Sequence, residues 1–141
     1  MKFLRLAIIA SLALAAASCC SCRKGKTNAQ ANKPLVGTEW KLAQLNGQGV
    51  TAGENSFTLM FDDEGRFSGR GDCNSYFGAY TVTADGKIST GNMGSTRALC
   101  PGVDKENEYY KVLDEADSYR IDGSSLMLLK NGELVAVFAA K

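Results

Sequence analysis

From Glu39 to the end of the chain, apolar side chains return at every second position in short runs. Only once do they return at helical spacing. Trp40 and Leu42 alternate with Glu39 and Lys41, and Phe57, Leu59 and Phe61 alternate with Thr58 and Met60. A period of two marks strands that bury one face. Asp62-Asp63-Glu64-Gly65 reads as a polar turn before Arg66-Phe67-Ser68. Tyr80 to Thr83, then Asp85-Gly86, then Lys87-Ile88-Ser89 reads as a hairpin, because Gly86 tolerates the positive φ that tight turns need. Asn131-Gly132 plays the same part between Ser125–Leu129 and Leu134–Phe138. That last hairpin is apolar on both faces, so it is expected in the middle of the core.

The exception lies between Asp104 and Asp117, where Tyr109, Val112, Leu113 and Ala116 recur with charged residues between them. Asp104 is placed to cap the start of a helix, after Pro101 and Gly102 punctuate the chain. Many short strands and one amphipathic helix predict an α+β fold. The expected form is a curved antiparallel sheet or incomplete β-barrel of about seven or eight strands, with the helix plugging a side or an end.

The N-terminus reads as an export signal. Lys2 and Arg5 form a basic start, and Leu6 to Ala17 is apolar, uncharged and too short to span a bilayer. Ala16, Ala17 and Ser18 lead into Cys19, a pattern similar to the lipobox of bacterial lipoproteins, in which the cysteine is lipidated and the chain is cut before it. Cys20 is a second acceptor, and ordinary cleavage near Ala17 is the alternative. The expected division is a signal peptide at 1–18, a lipidated basic tether at 19–33 and one domain at 34–141. Arg23, Lys24, Lys26 and Lys33 carry the tether's charge, which either favours an anionic lipid surface or is simply solvated. From Pro34 on there are ten basic and fifteen acidic side chains, an acidic balance that argues against a nucleic-acid partner.

Cysteines in an exported domain are candidates for a bridge, because outside the cytosol nothing keeps them reduced. Cys73 and Cys100 are the only two in the folded part, which leaves one internal connectivity. A free reactive thiol at Cys73 and a metal site are the rivals, and the second is weakened because the chain has no histidine. Asn74 and Arg97 flank these cysteines. They are read as bracing backbone groups in turns near the bridge, with ligand recognition as the alternative.

Four phrases in order resemble the META domain (HslJ-like) family: Leu35-Val36-Gly37-Thr38-Glu39-Trp40-Lys41-Leu42, Gly69 to Tyr80 around Cys73, Ser95-Thr96-Arg97 leading to Cys100-Pro101, and Tyr119-Arg120-Ile121-Asp122-Gly123. Asp72 stands where that family usually has a small residue, and Ala98-Leu99 replaces its usual Met-Ala. The resemblance spans about Leu35 to Ala139. It implies a small α+β domain with a paired cysteine and no established catalysis, in a family loosely linked to envelope stress, antibiotic tolerance and motility.

Without histidine there is no Ser-His-Asp or Cys-His machinery, and neither a phosphate loop nor a nucleophile elbow is present. Ser21-Cys22-Arg23-Lys24 matches a penicillin-binding string but lies in the tether. Arg70-Gly71-Asp72 spells an adhesion motif inside the Cys73 phrase, and Asp62, Asp63 and Glu64 read as a solvated turn. The expectation is therefore a non-enzymatic envelope lipoprotein, monomeric, with no cofactor and no metal, held to the membrane by its N-terminal lipid. It would bind or support an envelope protein or lipid. The residues after Cys19 are not acidic, which favours the outer membrane facing the periplasm over surface display. A lipid-binding or secretin-pilot-like module in a cracked barrel is the second reading. An enzyme working with two carboxylates that meet from distant positions, or an enzyme inhibitor, is the third.

Overall fold

The computed structural model describes residues 31–102 and 104–141. The expected signal peptide at 1–18, the lipid acceptor Cys19 and most of the tether lie outside the described residues. The strands are β1 (Glu39–Leu45), β2 (Gln48–Gly49), β3 (Thr58–Phe61), β4 (Arg66–Arg70), β5 (Ser75–Val82), β6 (Ile88–Thr90) and β7 (Gly94–Ser95). Helix α1 (Asp104–Glu115) follows, and then β8 (Ser118–Asp122), β9 (Ser125–Lys130) and β10 (Glu133–Ala140).

Eight strands run in the order β6-β5-β4-β3-β1-β10-β9-β8, all antiparallel, while β2 pairs with β1 and β7 with β5. The two ends of this order meet. Lys87 bridges to Ser118, Ile88 N–H donates to Asp117 C=O at 3.1 Å, and Tyr119 N–H donates to Gly86 C=O at 2.8 Å. The curved sheet thus becomes a nearly closed barrel with one helix among the described residues, as the alternation of the sequence predicts. Register shifts between Leu42 and Gln44 and between Leu134 and Ala136 bend β1 and β10, the bend that closure requires.

Alternation decides which side chains fill the interior. Trp40, Leu42, Leu59, Phe61, Phe67, Tyr76, Leu126, Leu128, Ala136 and Phe138 are all buried. Thr58 departs from the expected pattern and is buried too, its hydroxyl accepting the Arg70 N–H at 3.2 Å. The final hairpin also differs from the expectation of two buried faces. Leu126, Leu128, Ala136 and Phe138 point into the core, whereas Met127, Leu129 and Val137 are half-buried on the outside and Leu134 is exposed. A barrel wall has only one inner face.

The helix buries Tyr109, Val112 and Leu113, with Ala116 just beyond it, the face read from its spacing. It stops at Glu115 rather than Asp117, because the sheet captures the chain there: Asp117 N–H donates to Leu129 C=O at 2.9 Å. At the other end, Asn32 and Lys33 are fixed to the domain rather than free in the tether. Gly123, in the β8–β9 turn at φ +57°, donates to Asn32 Oδ1 and accepts from Lys33 N–H, each at 2.8 Å.

Candidate functional site

The phrases around the two cysteines meet at the first turn of α1. Cys73 and Cys100 form a disulfide with Cα atoms 6.2 Å apart, inside the range such a bridge permits. It joins the end of the 96–100 segment to the loop before β5.

Beside the bridge, Glu106 is buried with only 6% of its surface exposed. Its Oε2 accepts the backbone N–H groups of Cys73 at 2.7 Å and Asn74 at 2.8 Å, and its Oε1 accepts the Asn74 side-chain amide at 2.7 Å. Burial pushes the carboxyl upward. The hydrogen bonds from Asn74 and from the backbone of Cys73 and Asp72 outweigh it, and the group settles below the ordinary carboxylate value. The charge is stabilised where it lies. Gly71 makes this contact possible, since a Cβ there would stand 2.6 Å from Glu106 Oε2 and 2.7 Å from the Tyr110 hydroxyl.

Asn74 is the hub. Its Oδ1 accepts Thr96 Oγ1 at 2.8 Å and Ala98 N–H at 2.7 Å, and its amide also donates to Ala98 C=O at 3.3 Å. Its own C=O accepts Gly71 N–H at 2.7 Å and the Tyr110 hydroxyl at 3.1 Å. One side chain thus ties β5, helix α1 and the 96–98 segment together. Burial, then the charge of Glu106, push the Tyr110 hydroxyl up to about 12, so it stays a neutral donor.

Arg97 behaves differently from Asn74. Its side chain is exposed and makes no hydrogen bond or ion pair among the described residues, so the backbone-bracing role read from sequence has no contact here to carry it. Leu99 beside it is fully exposed. An open groove of about 500 Å³ lies between this segment and α1, lined by Ser95, Thr96, Arg97, Asn107 and Tyr110 among others. Glu106 escaped the sequence reading. The available signal was a carboxylate three residues before Tyr109, on the otherwise apolar face of the helix.

Deeper in, the Tyr76 and Tyr109 hydroxyls lie 2.8 Å apart, and both reach Thr58 C=O, at 2.6 and 3.2 Å. Desolvation drives both phenols well above their ordinary value. They hold the helix to β3 and β5 as hydrogen-bonding partners. Among the described residues, no group of three or more acidic or cysteine side chains could hold a metal ion. No helix there is long and apolar enough to cross a membrane.

The model of the META domain family matches residues 33–141. No curated protein matches the chain. Among solved structures, the chain is similar to a protein from Burkholderia xenovorans solved by NMR, at 25% identity and a TM-score of 0.58, over 76% of this chain and 83% of that one. A second NMR structure is 21% identical with a TM-score of 0.58, over 72% and 87% of the two chains. A DUF4847 family protein from Bacteroides vulgatus is 16% identical with a TM-score of 0.57, over 74% and 93%. The last two likenesses concern the fold alone.

Proposed function

The chain belongs to the META domain family, and on that premise we propose that it is a non-enzymatic envelope lipoprotein whose domain binds or supports another envelope component. The anchor is a lipid on Cys19, and the domain stands on the periplasmic side of the outer membrane as a monomer. Its service belongs to envelope stress or antibiotic tolerance.

The filled interior is the observation that supports this reading best. Trp40, Tyr76, Tyr109, Phe61, Phe67 and Phe138 occupy the space between helix and sheet, each almost wholly buried. A module that stores an acyl chain needs that space open. The buried carboxylate of Glu106 is consumed by three hydrogen bonds to Cys73 and Asn74, which favours a structural use over acid–base chemistry. What remains available to a partner is the outer surface, where Leu99 and Phe77 stand exposed among polar side chains.

Crosslinking in the intact envelope, with the full chain and mass spectrometry of captured proteins, tests this. One envelope component should be captured by the wild type and lost from a Cys19→Ser variant that leaves the membrane fraction. Turnover of peptidoglycan, phospholipid or peptide by the purified chain would overturn the non-enzymatic reading. Recovery of unmodified Cys19 in the soluble fraction would overturn the anchor.

A further inference from the structure

Strand β7 covers only Gly94–Ser95, yet the chain after it keeps the alternation of an extended strand. Thr96 N–H donates to Ser75 C=O at 3.0 Å, and Ala98 N–H donates to Asn74 Oδ1 at 2.7 Å. Residues 96 and 98 therefore turn their backbone groups toward β5. Alternate residues of an extended chain present N–H and C=O to opposite sides, so Arg97 and Leu99 turn theirs away. Neither has a backbone partner among the described residues. This is an open edge, held rigid from behind by Asn74 and the disulfide.

Helix α1 stands beside this segment. The groove at residues 95–100 and an adjoining one of about 580 Å³, lined by Asn92, Met93, Tyr110, Lys111 and Asp114, share Tyr110 and run along the helix. Its rim carries two exposed cations, Arg97 and Lys111, and neither is in an ion pair among the described residues. Of the acids nearby, Glu106 is already engaged by Cys73 and Asn74, Asp114 lies at the Lys111 end, and Glu108 and Glu115 line a separate cleft with Lys111, where Glu115 is paired with Lys130.

We propose that this edge takes an extended acidic peptide segment of another envelope protein, added as a strand beside residues 95–99 with its carboxylates against Arg97 and Lys111. The inference deepens the reading of the domain as a binding module and rests on it. Backbone groups at strand spacing call for a strand, and the unpaired cations call for acidic residues on it. Ala98, Leu99 and Tyr110 also line the groove, but an acyl chain would leave Arg97 and the outward backbone groups without partners. A second copy paired antiparallel about residue 97 would set Arg97 against Arg97, and like charges directly opposite are unfavourable.

Full-length chain in detergent, immobilised by its C-terminus, is panned against a random dodecamer peptide library, with Arg97→Glu and Leu99→Pro as comparison variants. Acidic, β-forming peptides should be enriched. They should bind at least about tenfold more weakly to Arg97→Glu and more weakly at raised salt. Leu99→Pro, which removes the outward N–H, should also lose them while its melting temperature stays near wild type. Should that variant unfold, the Leu99 amide of the wild type must instead gain protection from hydrogen exchange when peptide is added. Peptides that bind wild type and Arg97→Glu equally would overturn the proposal, as would dimerisation through this edge. No enrichment, while envelope crosslinking still captures a component, would sink the edge and spare the binding-module reading; failure of both would sink both.

Discussion

Glu106 grips Asn74 twice, accepting its backbone N–H at 2.8 Å on one carboxylate oxygen and its side-chain amide at 2.7 Å on the other. Two short bonds join helix α1 to the start of β5, and through Asn74 to the 96–98 segment. The helix is thereby locked to the barrel wall at the disulfide.

Titration of Glu106 should make stability depend on pH in one direction. Its carboxyl lies below its ordinary value of 4.5 in the folded state, so the unfolded chain holds the proton more tightly. The stabilisation is complete above about pH 4.5 and is lost as pH falls through the lower folded value. Glu106→Gln replaces one accepting oxygen with an NH2 that faces either the two backbone N–H groups or the Asn74 side-chain amide, and should cost about 2–4 kcal/mol at pH 7. Denaturant unfolding between pH 3 and 7 checks both, and a wild-type acid limb that persists unchanged in Glu106→Gln would contradict the assignment.

Gly69 should tolerate no side chain. A Cβ there would collide with Thr58 C=O and stand 2.6 Å from the Tyr76 hydroxyl, and the Thr58 obstacle is backbone. Gly69→Ala should therefore cost about 1–3 kcal/mol and displace the Tyr76–Tyr109 pair. Gly49→Ala, where the space is open and φ is not positive, should stay within about 0.5 kcal/mol of wild type. Thermal unfolding of the two variants side by side makes the comparison.

Local chemistry was legible in the sequence, and long-range chemistry was not. The Asp85-Gly86 and Asn131-Gly132 turns form where their residues allow positive φ, as Gly86 at +81°, Asn131 at +51° and Gly132 at +82° show. The buried helix face follows from spacing alone. Nothing local could reveal that β1 pairs with β10, Trp40 beside Ala140, or that Glu106 would meet residues 73 and 74. The open edge at 95–99 was hidden for the same reason, since only Asn74 and β5 hold it extended. In the sequence Phe57 fits the alternation of a strand. It stands at φ +53°, its N–H bonded to Gly71 C=O and its ring 5.3 Å from that of Tyr109.

Lipidation should fall on Cys19. Small residues end at that thiol after an uncharged apolar run, the pattern that directs acylation before cleavage. Metabolic labelling with a fatty acid should mark the wild type and leave Cys19→Ser unlabelled, as an unprocessed precursor or a soluble domain. Undiminished label in Cys19→Ser would move the anchor to Cys20.

Reduction of the Cys73–Cys100 bridge should weaken the domain about as much as loss of the Glu106 contacts. The bond closes a loop with a sequence separation of 27. Its loss returns chain entropy to the unfolded state worth about 3–4 kcal/mol, a large share of the roughly 5–15 kcal/mol typical of a domain. The bridge also pins one end of the 96–100 segment, while Asn74 and Thr96 hold its start to β5. Reduction should therefore lower the melting temperature markedly and loosen residues 97–100 first, with the β1–β10 pairing protected longest. Hydrogen exchange of the full chain with and without reductant separates these regions. An unchanged melting temperature with both thiols free would refute the structural role, and zinc uptake by the reduced chain would restore the metal reading.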